Sequence, residues 1–163
     1  MKINEFNIPR ASQLSQKTNQ FNLTTKRYLE EEIRNFSNNE DYFLRMIHVK
    51  DRFGDYGMTG MAIFKKINNY TLEIDTFLLS CRILGKNIEF AFMQELINEA
   101  KRYNIQKIIA KFIPTQKNAP AENFLNEAGF IFEKDYNGEK HYFLDIGKEN
   151  KRKYYGEITY VDT

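Results

Sequence analysis

The sequence predicts an α/β domain, because strand-like and helix-like segments alternate along most of its 163 residues. Two junctions support this fold class most directly. The apolar run at 77–79 leads into a short turn, and a helix-periodic run from Ile88 to Tyr103 follows that turn. Further along, Asn137-Gly138 separates two strand-like runs and is typical of a tight β-hairpin. A chain of this length fits one domain with a buried core.

The predicted elements follow in the order helix, three strands, helix, strand, helix and two strands. The first helix is capped by Thr24 or Thr25 and has one apolar face, which includes Ile33 and Phe36. The predicted strands are 42–50, 58–67, 71–79, 107–113, 130–135 and 141–146. The two later helices are predicted at 88–103 and 120–128, the last of them ending at a glycine.

The chain divides into three regions. Residues 1–23 are polar and are expected to be irregular, wrapping the domain through side-chain hydrogen bonds. Residues 24–146 form the predicted domain. Residues 147–163 form a tail that is charged at first, and its part at 154–161 could add an edge strand.

Composition excludes several classes of protein. A chain with 42% hydrophobic and 28% charged residues is globular, and its net charge of +2 is too small to imply nucleic-acid binding. No apolar run is long enough for a membrane span, so no membrane partner is expected. The single cysteine excludes an internal disulfide and fits a cytoplasmic location. Two histidines and one cysteine argue against a zinc site, so no metal is expected.

The turn at 80–88 is the most informative stretch, since Arg82-x-x-Gly85-x-Asn87 lies between a strand and a helix. The first turn of a helix has unpaired N–H groups and a partial positive charge, which attract anions. Gly85 lets the backbone approach a phosphate, Asn87 is a good N-cap, and Lys86 either adds positive charge or is a solvated surface residue. The alternative is an ordinary strand-to-helix turn, and the residues alone leave both interpretations open.

This turn resembles the acyl-CoA pyrophosphate loop of the GNAT superfamily, Arg-x-x-Gly-x-(Gly/Ala), although Asn87 departs from the small last residue. The resemblance implies a GNAT-like fold with a central mixed, mostly antiparallel sheet and helices on both faces. It implies acetyl-CoA or CoA as cofactor, with its pantetheine arm between the strands at 71–79 and 107–113 and with Asn118 holding that arm. Asn118 could equally form a turn before Pro120. The residues that would bind the cofactor phosphates are Arg82, Ile83, Leu84, Gly85, Lys86, Asn87 and Ile88.

Four further segments sharpen the resemblance: 10–25, 51–57, 80–82 and 115–120 are similar to the C-terminal half of FkbH-like proteins. Such proteins make unusual extender units, such as glyceryl groups, on acyl carrier proteins for polyketide assembly. The resemblance implies a carrier-protein phosphopantetheine as the alternative cofactor. It also implies an acyl carrier protein or a separate haloacid-dehalogenase-like phosphatase as partner, because the Asp-x-Asp motif of that phosphatase half does not occur in this sequence.

Three side chains are candidates for catalysis. Glu73 and Asp75 alternate with apolar neighbours, so either could deprotonate an amine, or both could face solvent or form ion pairs. Cys81 could accept an acyl group, but burial is the expectation we favour. Many GNAT enzymes have a tyrosine acid four residues before the glycine that ends the last helix, and here that position is Leu125.

Three functions therefore stay open from the sequence, and whether the chain is an enzyme is left undecided. The first is a GNAT-type acyltransferase that uses a CoA or carrier-protein thioester. The second is a non-catalytic module that binds the phosphopantetheine arm. The third is a structural domain that has kept the fold without the ligand. The phosphate-like turn favours the first two, Leu125 weakens the first, and Asn87 favours the third.

Overall fold

A seven-stranded sheet forms the centre of the computed structural model, which describes residues 1–148. The strands are β1 Phe21–Asn22, β2 Tyr42–Asp51, β3 Gly54–Asn68, β4 Thr71–Leu79, β5 Lys107–Phe112, β6 Ile131–Tyr136 and β7 Glu139–Asp145. The helices are α1 Ile8–Lys17, α2 Glu30–Ser37, α3 Ile88–Arg102 and α4 Phe124–Glu127, with short 3-10 turns at Cys81–Ile83, Ala119–Ala121 and Ile146–Lys148. The strand expected at 154–161 lies outside the described residues.

Neighbouring strands of the sheet follow the order β2-β3-β4-β5-β7-β6, and β1 pairs separately with β4. All pairs are antiparallel except β4 with β5, which is parallel and extends only from Thr71↔Lys107 to Glu73↔Ile109. The sheet is thus mixed and mostly antiparallel, as predicted. Its single parallel pair ends after three residues, which leaves the second half of β4 without β5 as a neighbour.

Apolar residues cover both faces of the sheet, because helices pack on both sides of it. On one face, α3 and α4 contribute a core that includes Phe92, Leu96 and Phe124. On the other face, α1 and α2 contribute a second core that includes Ile8, Leu14 and Ile33. The prediction of helices on both faces is therefore confirmed.

The N-terminal region is more regular than predicted, because α1 occupies 10 of the 23 residues expected to be irregular. Ser12 and Ser15 face the core together with the few apolar residues of α1. Both hydroxyls donate to the Tyr28 carbonyl, at 2.8 and 3.2 Å, and the Ser15 hydroxyl accepts from the Tyr28 N–H at 2.9 Å. Because polar residues occupy part of the buried face, the apolar residues of this segment do not show the helical period.

Helix α2 begins at Glu30, so the predicted start at Thr24 or Thr25 is wrong. The Thr24 hydroxyl donates instead to the Asp75 carbonyl at 2.8 Å, and Thr25 has a left-handed backbone with φ +55°. The Leu29 N–H at the start of α2 is satisfied by the Glu32 carboxylate at 2.8 Å. The helix predicted at 120–128 is likewise divided into the 3-10 turn Ala119–Ala121 and α4.

Candidate phosphate loop and strand gap

Strands β4 and β5 diverge beyond their three parallel pairs, and we call the space between them the strand gap. Residues 21–24, the gap segment, fill this space. Their strand β1 pairs with the end of β4 in antiparallel register. Leu23 then bridges the two sides, since its N–H donates to the Phe77 carbonyl at 3.2 Å and its carbonyl accepts from the Ile113 N–H at 2.9 Å. The place that the GNAT resemblance gives to the pantetheine arm is occupied by the chain's own backbone.

Side chains of the gap segment belong to the core rather than to a surface flap. Leu23 is fully buried and Phe21 is 4% exposed. The Phe21 ring makes edge contacts with Phe77 and Phe124, with centroids 6.3 and 5.2 Å apart. Burial of two large apolar side chains stabilises the segment in place. An alternation of Phe21 and Leu23 within a polar stretch was the one sequence signal for this strand.

Asn118 holds the gap segment from the β5 side. Its buried side chain donates to the Asn22 carbonyl at 3.0 Å and to the Ile113 carbonyl at 2.9 Å. Its side-chain oxygen accepts from the Thr115 N–H at 2.7 Å, which closes the turn after β5. The turn-forming alternative for Asn118 is therefore present in the structure. A role in holding a pantetheine arm stays a prediction, and here the amide is used by the chain itself.

Side-chain hydrogen bonds also fix the chain on both sides of the gap segment, as expected for this polar stretch. The Asn22 amide donates to the Thr18 carbonyl at 3.1 Å, and its oxygen accepts from the Thr25 N–H at 2.9 Å. The Arg27 guanidinium donates to the carbonyls of Ser15 and Thr18, at 2.7 and 2.8 Å. The turn between α1 and α2 is consequently held by side chains of its own sequence.

The candidate phosphate loop, which we call the phosphate loop, comprises residues 80–88 and leads from β4 into α3. Gly85 has φ +81° and Asn87 has φ +60°, so both are left-handed, a conformation that glycine and asparagine tolerate best. Asn87 precedes α3, but its side chain makes no capping hydrogen bond, so the prediction of an N-cap side chain is wrong. Side-chain capping usually requires an extended backbone at this position, which φ +60° does not provide. The first N–H groups of α3 therefore donate no hydrogen bond to the Asn87 side chain.

Two apolar side chains anchor this loop to the core of the domain. Ile83 is fully buried, and Leu84 packs partly against the same core. Arg82 is exposed, and Ile88 is half-buried at the start of α3. Ile83, Leu84 and Ile88 could thus contact a phosphate only through their backbone, whereas Arg82 could also use its guanidinium.

Lys86 is committed to a partner within the protein. Its ammonium donates to the Asp51 carboxylate at 2.5 Å and to the Tyr56 hydroxyl at 3.1 Å. The hydrogen bond from Lys86 lowers the pKa of Asp51, and the same bond raises the pKa of Lys86. The turn between β2 and β3 is thereby tied to the phosphate loop. Lys86 brings less positive charge to an incoming phosphate than a free lysine would.

Asp75 anchors the chain that follows the gap segment. It is the extra residue of a β-bulge, because Ile74 and Thr76 pair with adjacent residues of β3. Its carboxylate accepts from the Lys26 ammonium at 2.8 Å, the Tyr28 hydroxyl at 2.7 Å and the Thr76 hydroxyl at 2.9 Å. These donors occupy the carboxylate with structural bonds, and a catalytic role for Asp75 stays a prediction.

The remaining catalytic candidates have different surroundings. Glu73 is half-buried and lies in register with Lys65 and Ile109. Cys81 is exposed, so the favoured expectation of burial is wrong. It begins the 3-10 turn at the end of β4, where Ile83 takes the buried position instead. Leu125 is 1% exposed in the core and offers no proton donor.

Glu89 is a residue near the loop that the sequence did not single out. It lies in the first turn of α3, and its Oε2 atom is buried without a hydrogen-bond partner among the described residues. Burial raises the pKa of Glu89, and the negative charge of Glu127 raises it further. A protonated Glu89 would place less negative charge beside a bound phosphate than an ionised one.

No helix within residues 1–148 is long and apolar enough to cross a membrane. The same residues contain no group of three or more His, Cys, Asp or Glu side chains arranged to hold a metal ion.

Comparison with solved structures identifies the fold as that of GNAT acyltransferases. The ribosomal-protein-S18-alanine N-acetyltransferase from Escherichia coli matches with a TM-score of 0.67 and 14% identity, over 95% of this chain and 97% of its own. The spermidine N-acetyltransferase from Vibrio cholerae in complex with CoA and spermine matches with a TM-score of 0.68 and 14% identity, over 91% and 95%.

A third solved structure, the GNAT domain of S. lividans PAT, gives a TM-score of 0.70 at 13% identity, over 89% of this chain and 88% of its own. No protein-family model matches the sequence, and no curated protein matches it. Since sequence identities at this level show the fold alone, the chain is a GNAT-fold protein, and its ligand must be argued from its own residues.

Proposed function

We propose that this chain is a GNAT-fold binding module that takes the phosphates of CoA, or of a carrier-protein phosphopantetheine, at the loop of residues 80–88. The observation that carries this proposal is the filled strand gap. The gap segment uses backbone groups of β4 and of Ile113, just after β5, that an inserted arm would need, and Phe21 and Leu23 fill the core beneath it. A ligand could therefore reach the phosphate loop but not the strand gap.

Two further observations support binding over acetyl transfer. Leu125 offers no acid to protonate a leaving thiolate, and Asp75 already accepts three hydrogen bonds from its surroundings. By contrast, the loop itself keeps the left-handed Gly85 and Asn87 that turn its backbone toward the start of α3. The residues suited to holding a phosphate are present, whereas the usual acid position holds a leucine and the Asp75 carboxylate is engaged.

A GNAT-type acyltransferase is the second candidate, because two of the similar structures are N-acetyltransferases and one of those is a complex with CoA. This function requires the gap segment to leave the strand gap, or the thioester to approach by another path. Glu73 and Cys81 would then be the accessible base and nucleophile, since Cys81 is exposed and Glu73 is half-buried.

The proposal includes a relationship to FkbH-like proteins, which rests on the segments 10–25, 51–57, 80–82 and 115–120. Their contacts give the similarity a structural meaning. Residues of the first segment build the gap segment, and Asn118 of the last one binds it. This relationship implies one of two partners, an acyl carrier protein or a separate haloacid-dehalogenase-like phosphatase. A cytoplasmic location stays a prediction.

Calorimetric titration tests the proposal, with acetyl-CoA and a phosphopantetheinylated carrier protein as separate ligands. The Gly85→Val variant should lose binding, because a branched side chain is strained at φ +81° and blocks the approach of phosphate to the backbone. Gly138→Val is the matched control, since Gly138 has φ +82° and equally open space but lies in the β6–β7 turn. Binding that survives only in the control supports the phosphate loop.

The same experiment separates the alternatives. Tighter binding of the carrier protein than of acetyl-CoA favours the binding module in a carrier-protein system. Release of CoA in the presence of an amine would favour the acyltransferase. Failure of the wild-type chain to bind either ligand would overturn both and leave a structural domain.

A further inference from the structure

A cleft lies beside the strand gap, between α1 and the turn at the end of β4. It has a volume of about 320 Å³ and is lined by the exposed side of α1, residues 18–20 and residues 80–82. Three of its lining residues, Arg10, Lys17 and Arg82, are cations, and none is a carboxylate. We propose that this anion cleft binds a small molecule bearing a multiply charged oxyanion, such as a phosphate ester.

Within residues 1–148, no acidic side chain is paired with the cations of the cleft. None of the three cations forms a salt bridge within the described part of the chain. Burial lowers the pKa of Arg10, and the positive charge of Arg82 lowers it further. Bringing like charges together costs free energy that a bound anion would recover.

Arg10 is held in position for such an anion. Its Nε donates to the Met58 carbonyl at 2.9 Å, and its Nη1 donates to the Gln13 side chain at 2.5 Å. These two bonds fix the plane of the guanidinium and leave its other terminal nitrogen for a ligand. A charged hydrogen bond from that nitrogen to a phosphate or carboxylate oxygen is stronger than one between neutral groups.

The size and neutral lining of the cleft limit its ligand. A volume near 320 Å³ exceeds what a bare phosphate needs and lies at the lower end of the roughly 300–1,000 Å³ range of small-molecule sites. Hydroxyls and amides supply most of the neutral lining, including Thr18, Gln20 and Ser80. The ligand therefore combines a charged oxyanion with a small polar remainder that hydrogen-bonds to these groups.

The anion cleft overlaps the site of the proposed function only at the first residues of the phosphate loop. The residues that line it come from α1 and from 80–82, whereas Gly85, Asn87 and the start of α3 do not line it. Residues 80–82 belong to both the cleft and the phosphate loop, but of the proposed phosphate-binding residues 82–88 only Arg82 lines the cleft. The inference thus does not rest on CoA binding, and the two can be tested independently.

Cys81 provides the assay, because it lines the cleft, is exposed and is the one cysteine in the sequence. Its rate of alkylation by the neutral reagent iodoacetamide is measured with increasing inorganic pyrophosphate, at an ionic strength held constant with sodium chloride. We expect saturable protection of Cys81. Lys17→Glu should weaken pyrophosphate binding by about tenfold or more, because a charged hydrogen bond is replaced by repulsion.

Lys134→Glu is the matched control, since Lys134 is an exposed residue of β6 and does not line the cleft. Protection that is unchanged in Lys17→Glu, or weakened equally in Lys134→Glu, would overturn the inference. So would a wild-type chain that shows neither protection nor calorimetric binding of pyrophosphate. Protection that persists in Gly85→Val, together with loss of CoA binding, would show that the two sites are distinct.

Discussion

Replacing Phe21 tests whether the gap segment is a fixed part of the core. The ring is 4% exposed and contacts the rings of Phe77 and Phe124. Truncating a buried phenylalanine to alanine costs about 3–5 kcal/mol, since apolar contacts are lost and a cavity remains. We expect Phe21→Ala to lower the free energy of unfolding by about that amount. For a chain of this length the melting temperature should fall by roughly 6–20 °C.

Urea unfolding measures this change, with Phe53→Ala as the control because Phe53 is 75% exposed. The control should change stability by no more than about 0.5 kcal/mol, as surface substitutions usually do. A loss below about 1 kcal/mol in Phe21→Ala would refute the reasoning, since it would mean that the segment spends little time in the strand gap.

The same variant bears on the ligand. A pantetheine arm that enters the strand gap must compete with the gap segment, so loosening the segment would strengthen its binding. A ligand held by the phosphate loop alone gains nothing from that loosening. We therefore expect Phe21→Ala, at a temperature where it is folded, to bind acetyl-CoA as the wild-type chain does. Tighter binding would show that the arm uses the gap.

Three further substitutions test single side chains. Asp75→Asn removes the charge that accepts from Lys26 and Tyr28, and it should destabilise the fold by about 2–3 kcal/mol in urea unfolding; Tyr28→Phe, which loses one of these bonds, should cost less. Glu89→Gln should stabilise the chain at neutral pH, because burial raises the pKa of Glu89 in the folded state above its unfolded value. That penalty is complete above the folded pKa and absent below the unfolded pKa, so the gain in melting temperature should vanish on acidification.

The sheet could be predicted from local patterns, whereas the strand gap could not. Alternating strands and the Asn137-Gly138 turn have short-range signals, and the structure has β4 and the β6–β7 hairpin close to where they are predicted. The two-residue strand β1 offers only the alternation of Phe21 and Leu23 as a local signal, and its partners are more than 50 residues away. Its position depends on which backbone groups remain unpaired after the other strands have assembled.

The candidate site likewise has features that local sequence predicts and features that depend on distant residues. Gly85 is left-handed, as the freedom of glycine allows, but the N-cap expected of Asn87 is absent, so only part of the loop conformation followed from the sequence. The partner of Lys86 did not, because Asp51 lies 35 residues earlier and meets it only through the β2–β3 turn. Exposure of Cys81 was also missed, since residue type alone indicates burial and the 3-10 turn decides otherwise.

The filled strand gap has an energetic consequence for any ligand of this chain. The Phe77 carbonyl of β4 and the Ile113 N–H just after β5 need partners, and Leu23 supplies both of them from within the chain. A ligand that entered the gap would have to replace those bonds and expose Phe21 and Leu23, which costs about 3–6 kcal/mol in lost burial. Its affinity would fall by about 10²- to 10⁴-fold relative to an open gap. A ligand that binds at the phosphate loop avoids this cost, which is why the geometry favours capture of a phosphate over insertion of a thioester.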